Sequence, residues 1–233
     1  MDFLEGLLRF ELKDTPFVFL AVVIAFTIHE FAHAYAADKF GDPTPRSMGR
    51  VTLNPRVHLD VLGTILIFLI GFGWAKPVLV NRGNFKRPRL MGIIVSVVGP
   101  LSNLIIAFIG LFILFLLGYF GWLHELYVAN YGVWSAITTF LGYLISLNVM
   151  LFLFNLLPLP PLDGYRIVQD LLPVEQRIKL QQYEQWAIYF FLLMVFLPPL
   201  YNVFLGPYLS LQEPIQNVML DIARAIFGRV ALS

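Results

Sequence analysis

The run His29-Glu30-Phe31-Ala32-His33 is the stretch of this sequence best suited to chemistry. On a helix, two histidines four apart lie one above the other on one face, so their imidazoles can reach a single cation. Glu30 sits beside them, placed to act on a metal-bound water rather than to bind the metal. Zinc suits imidazole and carboxylate ligands, and a catalytic zinc takes three protein ligands and keeps a position for water. A polar cluster on a proton or ion path is the competing reading of the same residues.

A two-histidine site needs a third ligand. Few acidic residues lie at membrane depth elsewhere, and the candidate is Asp163, in Asn155-Leu156-Leu157-Pro158-Leu159-Pro160-Pro161-Leu162-Asp163-Gly164. The prolines forbid a regular helix there, and irregular backbone at membrane depth is tolerated where it lines a cavity. The plain alternative is a turn at the end of a span.

The elements that must position these residues follow from composition. Of 233 residues, 58% are apolar and 13% charged, against about 25% charged in an ordinary soluble domain. Mean hydropathy is +0.75. Such a chain lacks the polar surface to cover itself in water, which excludes a disordered or soluble protein. A net charge of +1 gives no general attraction to polyanions, so no nucleic-acid partner is expected. The absence of Cys excludes disulfides, thiolate catalysis and Cys-ligated metal.

The expected fold is an all-α polytopic membrane protein of about four to six membrane helices, with a short extended or re-entrant insert after the first. Phe17 to Ala37 is the first apolar run, after the helix-starting Asp14-Thr15-Pro16, and it contains the histidine pair. Met91 to Phe120 is the second, where Gly99-Pro100 predicts a kink. Val133 to Leu157 is the third, and Trp186 to Leu205, broken by Pro198-Pro199, is the fourth. Val61 to Ala75 is short for a span and long for a loop. From Ser210 to Val230, Leu211, Ile215, Val218, Ile222 and Ile226 recur at three-to-four spacing and predict an amphipathic interfacial helix. The N-terminal arm, with Asp2, Glu5, Glu11 and Asp14, is acidic where a signal peptide would be basic. The whole of 1–233 reads as a single membrane domain, with a core at about 17–170 and a C-terminal span and tail at about 186–230.

His29-Glu30-Phe31-Ala32-His33, Gly99-Pro100-Leu101-Ser102-Asn103 and Asn155 through Asp163-Gly164 occur in the order seen in the site-2 protease family of intramembrane zinc metalloproteases. Gly41-Asp42, Gly49-Arg50-Val51-Thr52-Leu53-Asn54-Pro55, Gly63-Thr64 and Gly73-Trp74-Ala75-Lys76-Pro77-Val78 resemble its compact bacterial branch. The resemblance spans roughly residues 17 to 170. It implies one zinc per chain, with Asp163 as third ligand and Glu30 as general base. It implies that Asn155 helps to hold a substrate strand or an oxyanion. It further implies membrane-protein substrates, such as pre-cleaved anti-sigma factors.

Other polar residues have plainer readings beside their functional ones. Asn103 could bind a substrate backbone or join two spans by an interhelical hydrogen bond. Asn148 reads as a similar tie, His58 as a loop histidine and His124 as solvated. Arg82, Lys86, Arg87 and Arg89 form a basic run suited to anionic headgroups, and Lys76 is suited to snorkelling at an interface.

The function this supports is hydrolysis of a peptide bond in or near the transmembrane segment of a membrane protein. A metal transporter would need a continuous polar path, which the spans after residue 91 lack. A silent scaffold would not need Glu30. Basic residues in segments 38–60 and 76–90 place both on the cytoplasmic side, which requires Val61 to Ala75 to enter the membrane and return. The expected location is the cell membrane, with the active site facing the cytoplasm and the N-terminus outward.

Overall fold

The structure, a computed structural model, describes residues 10–228. The sequence readings on Asp2, Glu5 and the last residues up to Val230 lie outside the described residues. Among the described residues there is no β-strand, and three helices are long and apolar enough to cross a membrane. These are α1 (Thr15–Lys39), then α3 (Pro88–Tyr119) and α5 (Tyr131–Asn155), with the short α2 (Val61–Ile70) and α4 (Trp122–Ala129) between them. The chain is a multi-pass membrane protein.

Helix α1 begins at Thr15-Pro16, where a proline forfeits no intrahelical bond. The Asp14 side chain does not cap it; its carboxylate instead accepts a hydrogen bond from the Tyr143 hydroxyl at 2.9 Å, tying α1 to α5. Val18, Val22, Ala25, His29, His33 and Ala37 are buried, at a spacing that puts them on one face. The facing stripe of α3 is built from Gly92, Ser96, Gly99, Asn103, Ala107 and Gly110, all buried. Small residues at this period let two backbones approach closely, which is how helices pack without a hydrophobic drive between them. Leu141, Leu144 and Leu147 of α5 complete the core against Val18, Val22, Phe26 and Ile106. Helix α3 runs unbroken through Gly99-Pro100, so the proline that predicts a kink does not end the helix.

Helix α2 settles the status of Val61 to Ala75. Asp60 caps it by accepting from the Gly63 amide at 2.8 Å, and Gly71, at φ 75°, ends it in the left-handed conformation. The chain then folds straight back. A Cβ on Gly63 would lie 2.2 Å from the Trp74 carbonyl oxygen, and one on Gly73 would lie 1.9 Å from the Gly63 carbonyl oxygen. Leu59 pairs with Ala75 in an isolated antiparallel bridge, and the Lys76 amide donates to His58 at 2.8 Å. The segment therefore leaves and returns at one level, a hairpin whose two ends lie side by side.

After α5, a non-helical turn over the proline run leads into α6 (Asp163–Leu171), which packs along α3, and α7 (Val174–Gln182) follows. The fourth apolar run is broken at its paired prolines, as the sequence leads one to expect. Helix α8 (Glu184–Phe196) stops before Pro198-Pro199, and the following helical stretch, Pro198–Phe227, is turned from it by 94°. Two successive prolines cannot donate the backbone bonds that would continue α8. The last element, α9 (Gln212–Phe227), is a helix as the three-to-four spacing predicts. Met219 and Ala223 are buried against Leu111, Phe115 and Val149 of α3 and α5, with Ile215 packed beside them, while Leu211, Val218, Ile222 and Ile226 are exposed. Most of the apolar stripe read from the sequence thus faces outward, and the smaller face beside it packs on the bundle.

Candidate metal centre

Helix α1 carries His29 and His33 on its packed face, and the start of α6 brings Asp163 to them. His29 Nε2 lies 3.0 Å from His33 Nε2, and the Asp163 Oδ2 atom is 3.2 Å from the first and 3.1 Å from the second. It is the one grouping among the described residues that could hold a metal through three His or carboxylate side chains. The donor set fits zinc. A tetrahedral ion with bonds of about 2.0–2.1 Å sets neighbouring donor atoms about 3.3 Å apart, close to the separations found. Both histidines are buried and the Asp163 side chain is 13% exposed.

The opposite nitrogen of each imidazole is held by α3. His29 Nδ1 is 2.7 Å from the Asn103 side-chain oxygen, and His33 Nδ1 is 2.6 Å from the Val95 carbonyl. Both acceptors call for a proton on Nδ1, which leaves each Nε2 lone pair directed at the shared point. The Asn103 amide donates in turn to the Ala25 carbonyl at 3.3 Å and to the Asn148 side-chain oxygen at 2.9 Å, and Asn148 donates to Leu144 at 2.8 Å. Asn103 is fully buried, and these bonds direct it at His29 and two neighbouring helices. Gly99 makes the approach possible, because a Cβ there would lie 2.2 Å from His33 Nε2 and 2.9 Å from His29 Cε1.

Glu30 is buried beside the pair. Its Oε2 accepts from the Val78 amide at 2.9 Å and lies 4.0 Å from Arg50 Nη2. Oε1 has no hydrogen-bond partner among the described residues. Val78 belongs to a stretch without regular secondary structure, Lys76 to Val80, that passes Glu30 after the hairpin.

The remaining expected residues fall elsewhere. Asn155 ends α5, and its amide donates to the Leu151 carbonyl of its own helix at 3.0 Å, with no hydrogen bond to the three clustered residues. His58, read from the sequence as a loop histidine, ends the short helix Pro55–His58 and is fully buried; its Nε2 is 2.7 Å from the Thr52 carbonyl. Burial holds its imidazole below the ordinary value. Arg82 does not face outward with Lys86, Arg87 and Arg89, but pairs with the buried Asp170 of α6 at 3.0 Å. His124 is exposed. Reasoning from the sequence missed the Val78 amide and the Val95 carbonyl, since a backbone group leaves no trace in residue type.

Comparison with known proteins gives a consistent result. The family model described as Peptidase family M50 matches residues 17–198. The chain is 48% identical over 207 residues to "Putative zinc metalloprotease YwhC" of Bacillus subtilis, covering 89% of this chain and 92% of the relative. It is 30% identical over 193 residues to "Putative zinc metalloprotease Rip2" of Mycolicibacterium smegmatis, covering 78% of this chain and 69% of that one. The protein of the same name from Mycobacterium tuberculosis is 30% identical over 199 residues, covering 81% and 71%. No solved structure matches the chain.

Proposed function

Because the chain belongs to peptidase family M50, we propose that it is an intramembrane zinc metalloprotease whose ion is held by His29, His33 and Asp163, with Glu30 as general base. The observation that carries this reading is the convergence of three buried donor atoms at 3.0 to 3.2 Å, on helices that bring them together from 130 residues apart. A zinc ion bound there supplies Lewis acidity and lowers the pKa of a coordinated water toward neutrality.

The chain's own residues do the rest. Glu30 takes a proton from the attacking water at its unengaged Oε1 and returns it to the leaving amine as the peptide C–N bond breaks. Asn103 and the Val95 carbonyl orient the two imidazoles. In this reading Asn155, where the irregular turn begins, holds a substrate strand or an oxyanion. The non-helical stretch at Lys76 to Val80, beside Glu30, is where an unwound substrate segment can approach the site. The substrates are membrane proteins, cleaved in or near a transmembrane segment that has locally unwound. The location is the cell membrane, and the site opens to the cytoplasmic face, as the basic segments 38–60 and 76–90 support.

A transporter is disfavoured because the hydrogen bonds of the buried His29, His33, Asn103 and Asn148 join them to one centre instead of lining a path. The deciding experiment measures bound zinc and cleavage of a membrane-segment substrate for the wild type and Glu30→Gln. Zinc retained with cleavage lost supports the enzyme; equal cleavage by both proteins refutes the mechanism.

A further inference from the structure

Arg50 is 3% exposed, and a guanidinium so buried is costly unless an acid and hydrogen-bond acceptors surround it. Its Nη1 donates to the Val57 carbonyl and its Nη2 to the Lys76 carbonyl. Among the described residues, the one acidic group in its reach is Glu30, whose Oε2 is 4.0 Å from Nη2. The same Oε2 accepts from the Val78 amide at 2.9 Å, two residues beyond the carbonyl that Arg50 grips. One oxygen of the carboxylate thus faces a positive charge 4.0 Å away and is hydrogen-bonded by an amide of the segment that Arg50 itself anchors. The other oxygen is left to the reaction.

We propose that Arg50 is a positioning residue for the general base: it holds the Glu30 carboxylate by Oε2 so that Oε1 is presented to the attacking water. This rests on the reading of Glu30 given above. Arg50 neither meets the substrate nor contacts the zinc ligands, so its removal lowers the rate of the chemical step while leaving metal and substrate binding in place. A misplaced catalytic group costs up to about 100-fold in rate, which bounds the effect. A residue that merely clamps the loop would instead alter stability, zinc content and KM together.

The test uses the full-length protein in lipid nanodiscs with a membrane-segment substrate, comparing Arg50→Gln, Arg50→Lys, Glu30→Gln and the double variant Arg50→Gln/Glu30→Gln. Arg50→Gln keeps one donor and loses the charge, and is expected to retain zinc and a KM within about twofold of wild type while kcat falls about 10- to 100-fold. Arg50→Lys restores the charge and is expected to recover about tenfold of that loss. In the Glu30→Gln background, Arg50→Gln should cost nothing further, because its action passes through Glu30. The proposal is overturned by an unchanged kcat in Arg50→Gln, by zinc loss there, by equal rates for the Gln and Lys variants, or by an added loss in the double variant. Should Arg50→Gln fail to accumulate, Arg50→Lys decides: zinc-loaded protein more active than Glu30→Gln supports the proposal, and protein equally inactive overturns it. If Glu30→Gln cleaves like wild type, the general-base reading itself has failed, an outcome distinct from failure of Arg50 alone.

Discussion

Replacing Gly99 with Ala adds one methyl group to the wall of the proposed metal centre. The new Cβ would lie 2.2 Å from His33 Nε2, 2.4 Å from its Cε1 and 2.9 Å from His29 Cε1. Ordinary contact starts near 3.4 Å, so the His33 imidazole must retreat by about 1.2 Å. The ring cannot do this freely, because its Nδ1 is bound to the Val95 carbonyl at 2.6 Å. Metal–ligand distances tolerate deviations of only about 0.2 Å, so the displaced ring no longer shares an ion with His29 and Asp163. Disturbing a group that merely orients a ligand costs about 10- to 100-fold in affinity, and here both histidines are displaced directly. Zinc affinity should therefore fall by about 100-fold or more, or about 2.8 kcal/mol. The stability of the metal-free protein should change less, since the cost of overpacking, about 1–3 kcal/mol, is offset by about 1 kcal/mol of helix propensity. Chelator competition on the purified protein measures the first quantity, and thermal unfolding after metal removal measures the second. Gly142→Ala, whose Cβ would meet nothing within 4 Å, is the control and should bind zinc as the wild type does. Wild-type zinc affinity in Gly99→Ala would refute the reasoning, because the imidazoles could not then be where the geometry puts them.

Asp163→Ala should lose zinc and activity together, read by metal analysis, because two imidazoles alone make a weak, open site. Asn155→Ala should keep zinc and lose rate, read by kcat at full metal occupancy. Asp42 should contribute to pH-dependent stability: burial pushes its carboxyl up, but bonds from Thr44, Asn84 and the Asn81 amide outweigh burial and hold it below its ordinary value. A depressed folded-state pKa means that this contribution is complete above about pH 3.9 and is lost as pH falls below it. Asp42→Asn should lower stability at neutral pH and flatten unfolding curves measured through that acid range. Single cysteines at Ser47 and Asn84 should be labelled from the same membrane face by an impermeant thiol reagent, and labelling from opposite faces would contradict the re-entrant hairpin.

The histidine pair and its glutamate were legible because helical period alone puts four-apart residues together, whatever the rest of the chain does. The return of Val61 to Ala75 was expected from its length and from the basic segments on either side of it, and Gly63 and Gly73 prove to be the points of close approach. Asn103 was legible as a polar residue at membrane depth but not in its contacts, since which atom faces His29 depends on how α3 rotates against α1. Arg50 entered the sequence reading as part of the stretch Gly49 to Pro55 and as one positive charge of segment 38–60, with no partner; its burial depends on carbonyls at Val57 and Lys76, far apart in the chain. In the tail, the large apolar residues were legible as the outward stripe of an interfacial helix, and Leu211, Val218, Ile222 and Ile226 are exposed. That Met219 and Ala223 pack on α3 and α5 was not legible, because which small face fits a neighbouring helix depends on how the helices meet.

The meeting of residues 29, 33 and 163 follows from chain direction. Asp42, just past the end of α1, accepts hydrogen bonds from Asn81 and Asn84, just before α3 begins. The two helix ends therefore lie on one face, and α1 and α3 run in opposite senses. The short α4 returns the chain at the far side, so α5 runs in the sense of α1 and delivers Asn155 to the face where α1 ends. His33 lies six residues, or about 9 Å, before that end of α1. The proline-rich turn needs to carry the chain back only that far for Asp163 to reach both imidazoles. Inserting two residues into this turn, between Leu159 and Pro160, would leave all three helices intact and every residue of the centre present. It should nonetheless abolish zinc binding by shifting the start of α6, whose Gly164 sits against the Leu156 and Leu157 carbonyls so closely that a Cβ would lie 2.2 Å and 2.4 Å from them. Zinc bound at wild-type stoichiometry in that variant would show that the turn does not set the position of Asp163.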